Sequence, residues 1–548
     1  MPTAVSEKLK QEREREKQRK AKKDKRGSWY GGSAKARAED EYKITKHIAE
    51  ILSRHRYLVK LCRALMMYGA PTHRLEAYMA MSARVLGIEG QFLYLPGCMI
   101  ISFDDSSTHT TEVKIVRAGQ GVDLGRLRDC HEIYKEVVHD LIGVDEATRR
   151  VDELMTRKDK FPKWMRVIFY GFAAVCVAPF AFEGRWIDLP IAFLLGCILG
   201  ILQLVLAPSN ELYSNVFEIT AAIITSFLSR AFGSIRNGEL FCFSALAQSS
   251  IALILPGYIV LCSSLELQSH NIVSGSVRMV YALIYTLFLG YGITIGSVLY
   301  GYMDDNATSS VHCTNPLNRN WYLLFVPLFT LCLCVVNQAK WKQTPVMLFI
   351  SFAGYCVNSY SSTYFQGSSQ ISNTLGAMTI GVLANLYSRL GRHVENFALD
   401  LWEYQIEPRV RRFRRGSKIH EPAYPLGPYS SAYDVEQSTE DLKAHTTTHI
   451  PRQVGYGLAA AAMLPAIFVQ VPSGLAAGGS LLSGVTSADQ ITRNETASST
   501  SSTGDLNDTA FTVLYSVIQV AISISVGLSI AALIVYPLGK RRSGLFSF

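Results

Sequence analysis

The sequence predicts a mainly α, polytopic membrane protein with about ten transmembrane helices in two inverted five-helix halves, preceded by a small cytoplasmic α+β domain. Three observations predict it. From Met165 onward, apolar runs of about 17–25 residues follow one another, each able to cross roughly 30 Å of hydrocarbon. Up to Lys163 the chain is polar and charged. Short motifs of the first five runs also recur, in the same order, in the second five.

Residues 1–41 read as a basic tail. The first 26 carry eleven Lys or Arg against five acidic residues, with no apolar core that would make a signal peptide. Such a tail attracts polyanions or stays solvated; anionic lipid is an expected partner and nucleic acid is not. Residues 42–163 read as the α+β domain. Ile44, Ile48, Ile51, Leu52, Leu58, Cys62, Leu65 and Met66 recur at helical spacing. Gly69-Ala-Pro71 stops that helix, and Thr72 is placed to cap the next. Phe92–Leu95, Met99–Phe103 and Glu112–Val116 read as strands, with Asp104-Asp105-Ser106 as a turn. Helices at about 123–142 and 145–158 lead into the membrane. Glu76, Asp104, Asp105 and His109 could do acid–base work, but no nucleophile elbow, zinc helix or phosphate loop accompanies them. The chain is therefore not expected to be an enzyme, and no cofactor or metal is expected.

The first membrane half, 164–302, holds spans at about 165–182, 187–206, 212–232, 239–262 and 278–302. The second, 321–538, holds spans at about 321–337, 344–360, 367–388, 454–482 and 511–536, with a linker at 391–453. Residues 539–548 form a C-terminal tail. Both termini then lie on one face with Lys340, Lys342, Arg409–Arg415 and Lys540–Arg542, the cytoplasmic face by the positive-inside rule. Arg185, Arg230 and Arg236 run against that rule. The glycosylation sequons at Asn306, Asn494 and Asn507 fall in loops on the opposite face. Cys176, Cys197, Cys242, Cys262, Cys332, Cys334 and Cys356 lie in spans as small apolar fillers, and only Cys313 falls in an outside loop, which argues against a disulfide framework.

The internal repeat rests on short matches. Phe227-Leu-Ser-Arg230-Ala-Phe-Gly233 resembles Leu386-Tyr-Ser-Arg389-Leu-Gly391. Leu255-Pro256 and Val260 correspond to Leu464-Pro465 and Val469, and nineteen residues after each proline stands the glycine of Ser274-Gly275 and of Ser483-Gly484. Five spans is an odd number, so the halves are inverted, the usual scaffold of alternating access in secondary transporters. Pro256-Gly257 interrupts the fourth span, and Pro465, Pro472 and Gly474 interrupt the ninth. Helix breaks there would expose amides and carbonyls to a small polar solute, or be plain proline kinks. Polar groups in or near the spans, Glu218, Gln248, Asn358, Asn373, Asn385 and Gln519, are expensive in hydrocarbon and extend the candidate set. The stretch Glu266-Leu-Gln-Ser-His270-Asn271-Ile-Val-Ser274-Gly275-Ser276-Val-Arg278 reads either as a re-entrant gate or as an ordinary cytoplasmic loop. Glu218 is the first choice for an ionisable coupling group, with protons as the coupling ion. Gly196/Gly200 and Gly292/Gly296 read as helix contacts.

These residues also carry a family likeness. Gly69-Ala-Pro71, Arg74-Leu-Glu76 and Pro96 resemble the soluble start of the threonine/serine exporter (ThrE) family. Leu255-Pro256-Gly257 through Arg278, and Ala384-Asn385-Leu-Tyr-Ser-Arg389-Leu, resemble its two membrane halves. The basic tail and long linker are similar to those of the family's fungal pheromone-regulated membrane proteins. The resemblance implies a ten-span exporter of small amino acids driven by an ion gradient, with dicarboxylate export as a variant. Val471-Pro-Ser-Gly474 departs from the Val-Pro-Gly expected of the ninth span. A non-transporting membrane protein of signalling or cell fusion is the competing reading.

Overall fold

The computed structural model describes residues 42, 45–46, 48–105, 110–365, 368–401, 458–470, 473–492 and 502–536. The basic tail 1–41, the linker beyond residue 401, His109, Pro472, Asn494 and the tail 539–548 lie outside the described residues.

The soluble domain is built as its patterning dictates. A helix over 48–68 (α1) turns Tyr57, Leu58, Leu61, Cys62, Leu65 and Met66 inward. Gly69 ends it at φ +83°, where a Cβ would lie 2.8 Å from the Gly121 carbonyl oxygen, so the backbone requires glycine. Thr72 does not cap the next helix. It belongs to a single tight turn, Thr72–Arg74, that precedes α2 (Leu75–Val85), and its side chain is buried. Three strands, β1 (Glu89–Leu95), β2 (Cys98–Asp105) and β3 (Thr110–Arg117), form an antiparallel meander with Tyr94 opposite Met99 and Met99 opposite Val116. Asp104 and Asp105 are strand residues, not the turn expected of them: Asp104 pairs with Glu89 and Thr111, and the Thr111 hydroxyl donates to its carboxylate at 2.5 Å. α3 (Leu124–Val138) starts where the Asp123 carboxylate accepts the Arg126 amide at 2.8 Å, and α4 (Val144–Thr156) follows.

The remainder is helical: α5 (Lys163–Phe182), α6 (Leu189–Ile201), a short α7 (Glu211–Ser214), α8 (Phe217–Gly233), α9 (Phe243–Ile251), α10 (Gly257–Gln268), α11 (Ile272–Gly301), α12 (Tyr322–Val336), α13 (Thr344–Tyr364), α14 (Ser369–Leu401), α15 (Ala459–Gln470), α16 (Ser473–Thr492) and α17 (Ser502–Val535). Among the described residues, five helical stretches are long and apolar enough to cross a membrane: Lys163–Phe182, Trp186–Ser209, Ile272–Gly301, Arg319–Val336 and Tyr515–Val535. A sixth is the pair Phe243–Ile254 and Gly257–Gln268, bent by 49° at Leu255-Pro256. The other predicted runs are helical too but shorter or more polar. The chain is thus a mainly helical membrane protein with a small sheet.

Several expectations are corrected. α11 begins at Ile272, so Ser274, Ser276 and Arg278 are helical and only Ser269–Asn271 turns. The predicted third span is divided, because Asn210 caps α7 and a second helix starts at Phe217. Asn507 lies within α17 and not in a loop. Pro465 sits inside α15, so the repeat's proline match does not hold structurally: Pro256 stands at a break and Pro465 does not. Cys242 and Cys313 form a disulfide, with Cα atoms 5.5 Å apart. Cys242 is no filler: it precedes α9 in extended conformation, and the loop after α11 folds back onto it.

Candidate functional site

α5 leaves the soluble domain at Lys163, so its end at Phe182 marks the far side of the bundle. α9 descends from that far side toward the domain, and α10 continues to the domain after the break. α15 starts beside the domain, since Ala460, Met463 and Leu464 meet Gly69–His73 there, and α16 continues away from it. The α9–α10 and α15–α16 pairs therefore run in opposite directions.

The Leu255-Pro256 break and the C-terminal end of α15 meet at one cavity of about 690 Å³, within the roughly 300–1,000 Å³ common for ligand sites. Leu253, Leu255 and Tyr258 line it from the break, and Phe468, Val469 and Gln470 from α15. Polar groups are few and convergent: Ser244, Gln248, Asn358, Asn373 and Gln470. Gln248 donates to the Ser244 hydroxyl at 2.7 Å. Gln470 donates to the Gly354 carbonyl at 3.2 Å, while its buried Oε1 has no hydrogen-bond partner. The cavity reaches the far side at Glu183 and His312, both exposed, and at Cys313 of the disulfide. At its other end the rings of Tyr258 and Phe468 stack with centroids 4.9 Å apart.

Beneath this floor lies a buried charged cluster. Tyr258, Cys262 and Glu266 follow at four-residue intervals on α10, one face of a helix in steps of about 6 Å. Glu266 is fully buried. Its Oε2 accepts the Ser274 hydroxyl at 2.9 Å, and its Oε1 lies 3.2 Å from Arg278 Nη2. Ser274 and Arg278 are themselves four apart on α11. Gly275 lets the two helices touch, because a Cβ there would lie 2.7 Å from Leu267 Cγ. The same Arg278 Nη2 donates to the phenol oxygen of Tyr94, on the soluble domain, at 2.7 Å. Burial pushes the Tyr94 phenol up to about 12, so it stays neutral beside the guanidinium.

The sequence candidates thus divide. Pro256 and Gly257 stand at the first break, next to cavity-lining Leu255 and Tyr258; Asn373 lines the cavity. Gly474 lies in the first turn of α16. Glu266, Ser274 and Arg278 form the cluster below. Asn271 bridges to the domain, donating to the His73 carbonyl at 3.4 Å. His270 is exposed and takes φ +66°, closing α10 with Asn271 N bonded back to Glu266 O. Ser276 is exposed on the other face of α11. Asn385 is fully buried in α14, away from the cavity lining. Glu218 is half-buried in the first turn of α8, within electrostatic reach of Tyr281 and Tyr285. Asn306 is exposed. Sequence reasoning missed Tyr94, Tyr258, Phe468 and Gln470. Gln470, a polar residue in an apolar run, carried a usable signal; Tyr94 carried none.

A bent-helix bundle around a cavity with few convergent polar groups, joined to a small sheet domain, defines a polytopic membrane protein. Residues 56–300 of this chain match the family described as "Putative threonine/serine exporter". Its relatives are fungal. It is 52% identical over 513 residues to an uncharacterized protein of Schizosaccharomyces pombe, covering 93% of this chain and 59% of that one. It is 46% identical to pheromone-regulated membrane protein 10 of Candida albicans (94% and 41% of the two chains) and 45% to that of Eremothecium gossypii (93% and 60%). The chain therefore spans about 40–60% of the length of these relatives. No solved structure matches it.

Proposed function

We propose that this protein is a secondary transporter that exports a small amino acid of the threonine/serine kind by alternating access, through ten spans arranged as two inverted five-helix halves. The observation that carries this reading is the meeting of two oppositely running helix pairs, α9–α10 and α15–α16, at one polar-lined cavity. The N-terminus of α10 and the C-termini of α9 and α15 end there, and α16 lines it from Gly478 on. Helix N-termini favour a carboxylate and C-termini an ammonium group, so the site suits a zwitterion. The unpartnered Gln470 Oε1 is the acceptor we assign to the ammonium, since a buried amide oxygen left alone is costly. Glu266, buried beside the path, is the stronger candidate than Glu218 for proton coupling. The soluble domain and both termini would face the cytoplasm. The disulfide supports that orientation, because disulfides persist in oxidising compartments and this one lies on the far side with the Asn306 sequon.

The test is counterflow into liposomes holding the purified full chain, with labelled threonine, serine or a four-carbon dicarboxylate, with and without a proton gradient. Threonine or serine should accumulate against unlabelled solute inside. Gln470→Leu should raise KM about ten-fold, the worth of one charge-assisted hydrogen bond. Dicarboxylate accumulation alone would change the substrate class. If every solute equilibrates no faster than in empty liposomes, the transport reading fails.

A further inference from the structure

We infer that the soluble domain is the inner gate of this pathway, with Tyr94 as its latch: the phenol holds Arg278 on Glu266 below the Tyr258–Phe468 floor, and the domain rocks about its attachment at residues 337–343. The inference rests on the transport reading above and adds to it the part that must move.

The path below the floor leads into protein. Tyr258 lines both the large cavity and a second one of about 30 Å³ beneath it, room for a water or two. One wall of this small cavity is Cys262, Leu265, Met463 and Ile467 of the bundle; the other is Gly69, Pro71, Thr72 and His73 of the domain. A solute passing Tyr258 and Phe468 therefore meets the Gly-Ala-Pro corner of the domain. It leaves only if that corner shifts.

The domain's two attachments differ in kind. At residues 337–343 it is bolted. Phe161 N donates to Gln338 Oε1 at 2.9 Å, and Gln338 Nε2 donates to Phe161 O at 3.2 Å. Leu124 N donates to Asn337 O at 2.9 Å and Lys160 Nζ to Ala339 O at 2.7 Å, while Lys340 pairs with Asp129. Gly125 packs so closely that a Cβ would lie 2.6 Å from Gln338 O. The donors named here all find acceptors, several along the backbone, which is the character of a hinge, although Gln343 at its end is buried with neither amide atom hydrogen-bonded.

Beneath the cavity the domain packs on Ala460, Ala461 and Leu464 through apolar contact, and hydrogen bonds across it are few. Two are the 2.7 Å bond from Arg278 to Tyr94 and the long 3.4 Å bond from Asn271 to the His73 carbonyl. Arg278 Nε and Glu266 Oε1 are buried without hydrogen-bond partners. Charged groups left part-satisfied regain water when the contact opens, and that offsets the bonds lost. This contact is built to break, and Tyr94 is a positioning residue that acts through Arg278.

Cys262 lines the small cavity and reports the motion. Cys62 and Cys130, fully buried in the soluble domain, report its folding. The full chain in vesicles of both orientations would be treated with a membrane-impermeant maleimide, and modification read at each cysteine by mass spectrometry. Tyr94→Phe keeps the ring and removes the latch bond. It should raise the rate at Cys262 about ten-fold from the domain side only, as loss of one charged hydrogen bond allows, with Cys62 and Cys130 still protected. Arg278→Gln should act in the same direction. If both variants leave Cys262 as protected as in the native chain, the gate is refuted. A joint rise at Cys262, Cys62 and Cys130 also overturns it, because the domain would then be melting and not rocking. This readout needs no transport: absent counterflow with an intact Cys262 response removes the transport reading alone, and the reverse removes the gate alone.

Discussion

Arg230→Met should be among the most destabilising single substitutions in the membrane region. Arg230 is 1% exposed and every nitrogen of its guanidinium finds an acceptor. Nε donates to Thr308 O at 3.1 Å, Nη1 to Ser297 O at 3.0 Å, and Nη2 to Ser309 Oγ at 3.1 Å and Asp489 Oδ1 at 2.7 Å. These acceptors come from α11, the loop after it and α16, so one side chain ties α8 to three segments on the far side. Methionine would leave Asp489 unpaired. Breaking a buried ion pair costs about 3–5 kcal/mol, and the 19% exposure of the Asp489 side chain places this case near 3 kcal/mol. Arg230→Lys should fall between, since one ammonium cannot reproduce a planar fork aimed at four acceptors. The assay is unfolding of the purified chain followed by tryptophan fluorescence, with Asp489→Leu and the double variant completing a cycle. The double variant should be more stable than the sum of the singles predicts by more than about 1 kcal/mol. An Arg230→Met protein within about 0.5 kcal/mol of the native chain would refute this account of the network.

Gly296→Val should cost about 1–3 kcal/mol by overpacking, because a Cβ there lies 2.1 Å from Ser226 Oγ and 2.4 Å from Ile223 O, forcing α8 off α11. Wild-type stability in the melt would refute it. Acid should loosen the domain at His73. Burial, with Arg74 adding to it, holds that imidazole down at about 3. Between about pH 3 and 6.5 the unfolded chain then binds a proton that the folded one does not, so stability is full above about 6.5 and falls as pH drops below it. At pH 5.5 the full linkage value is about 1.4 kcal/mol, and about 1 kcal/mol is expected because the ring is only half-buried among its neighbours. His73→Gln should remove that part of the pH dependence; an unchanged acid slope would contradict it.

Much of this fold was legible because its signals are local. Long apolar runs announce helices wherever they pack, and each predicted run is helical through most of its length. The break at Pro256 was legible because a ring without an amide cannot continue a helix. What stayed hidden depends on contacts between distant segments. Cys242 read as a filler because nothing near it shows that the loop carrying Cys313, 71 residues on, returns to it. Tyr94 read as a strand residue, and only the docking of the sheet on α11 brings it to Arg278. Ser274 and Arg278 were visible as polar residues, but their helix was not, since the polar stretch at 266–278 carried no helical apolar pattern. Glu218 stood out as an acid in an apolar run, although its place in a first turn depends on the unforeseen break after α7.

Two arginine–carboxylate pairs inside the bundle, Arg230–Asp489 and Arg278–Glu266, have similar chemistry, and their surroundings argue for different work. Arg230 spends its donors on four acceptors and joins segments that have no reason to part. Arg278 leaves Nε unpartnered and shares Nη2 between Glu266 and Tyr94, while Glu266 Oε1 accepts no hydrogen bond. A buried pair that held the fold would gain by completing its bonds. A pair that alternates between arrangements leaves some open in each. Replacing a buried ion pair with apolar residues of like volume is often neutral or stabilising by about 1–4 kcal/mol. The combined change Glu266→Leu and Arg278→Met should therefore melt no lower than the native chain, yet lose gradient-driven flux and the latched state of Cys262. The single change Glu266→Leu should destabilise by about 3 kcal/mol, because it strands the guanidinium. If instead the paired change melts as low as Arg230→Met, the Glu266–Arg278 pair is a structural tie like its far-side counterpart, and proton coupling must be sought at Glu218.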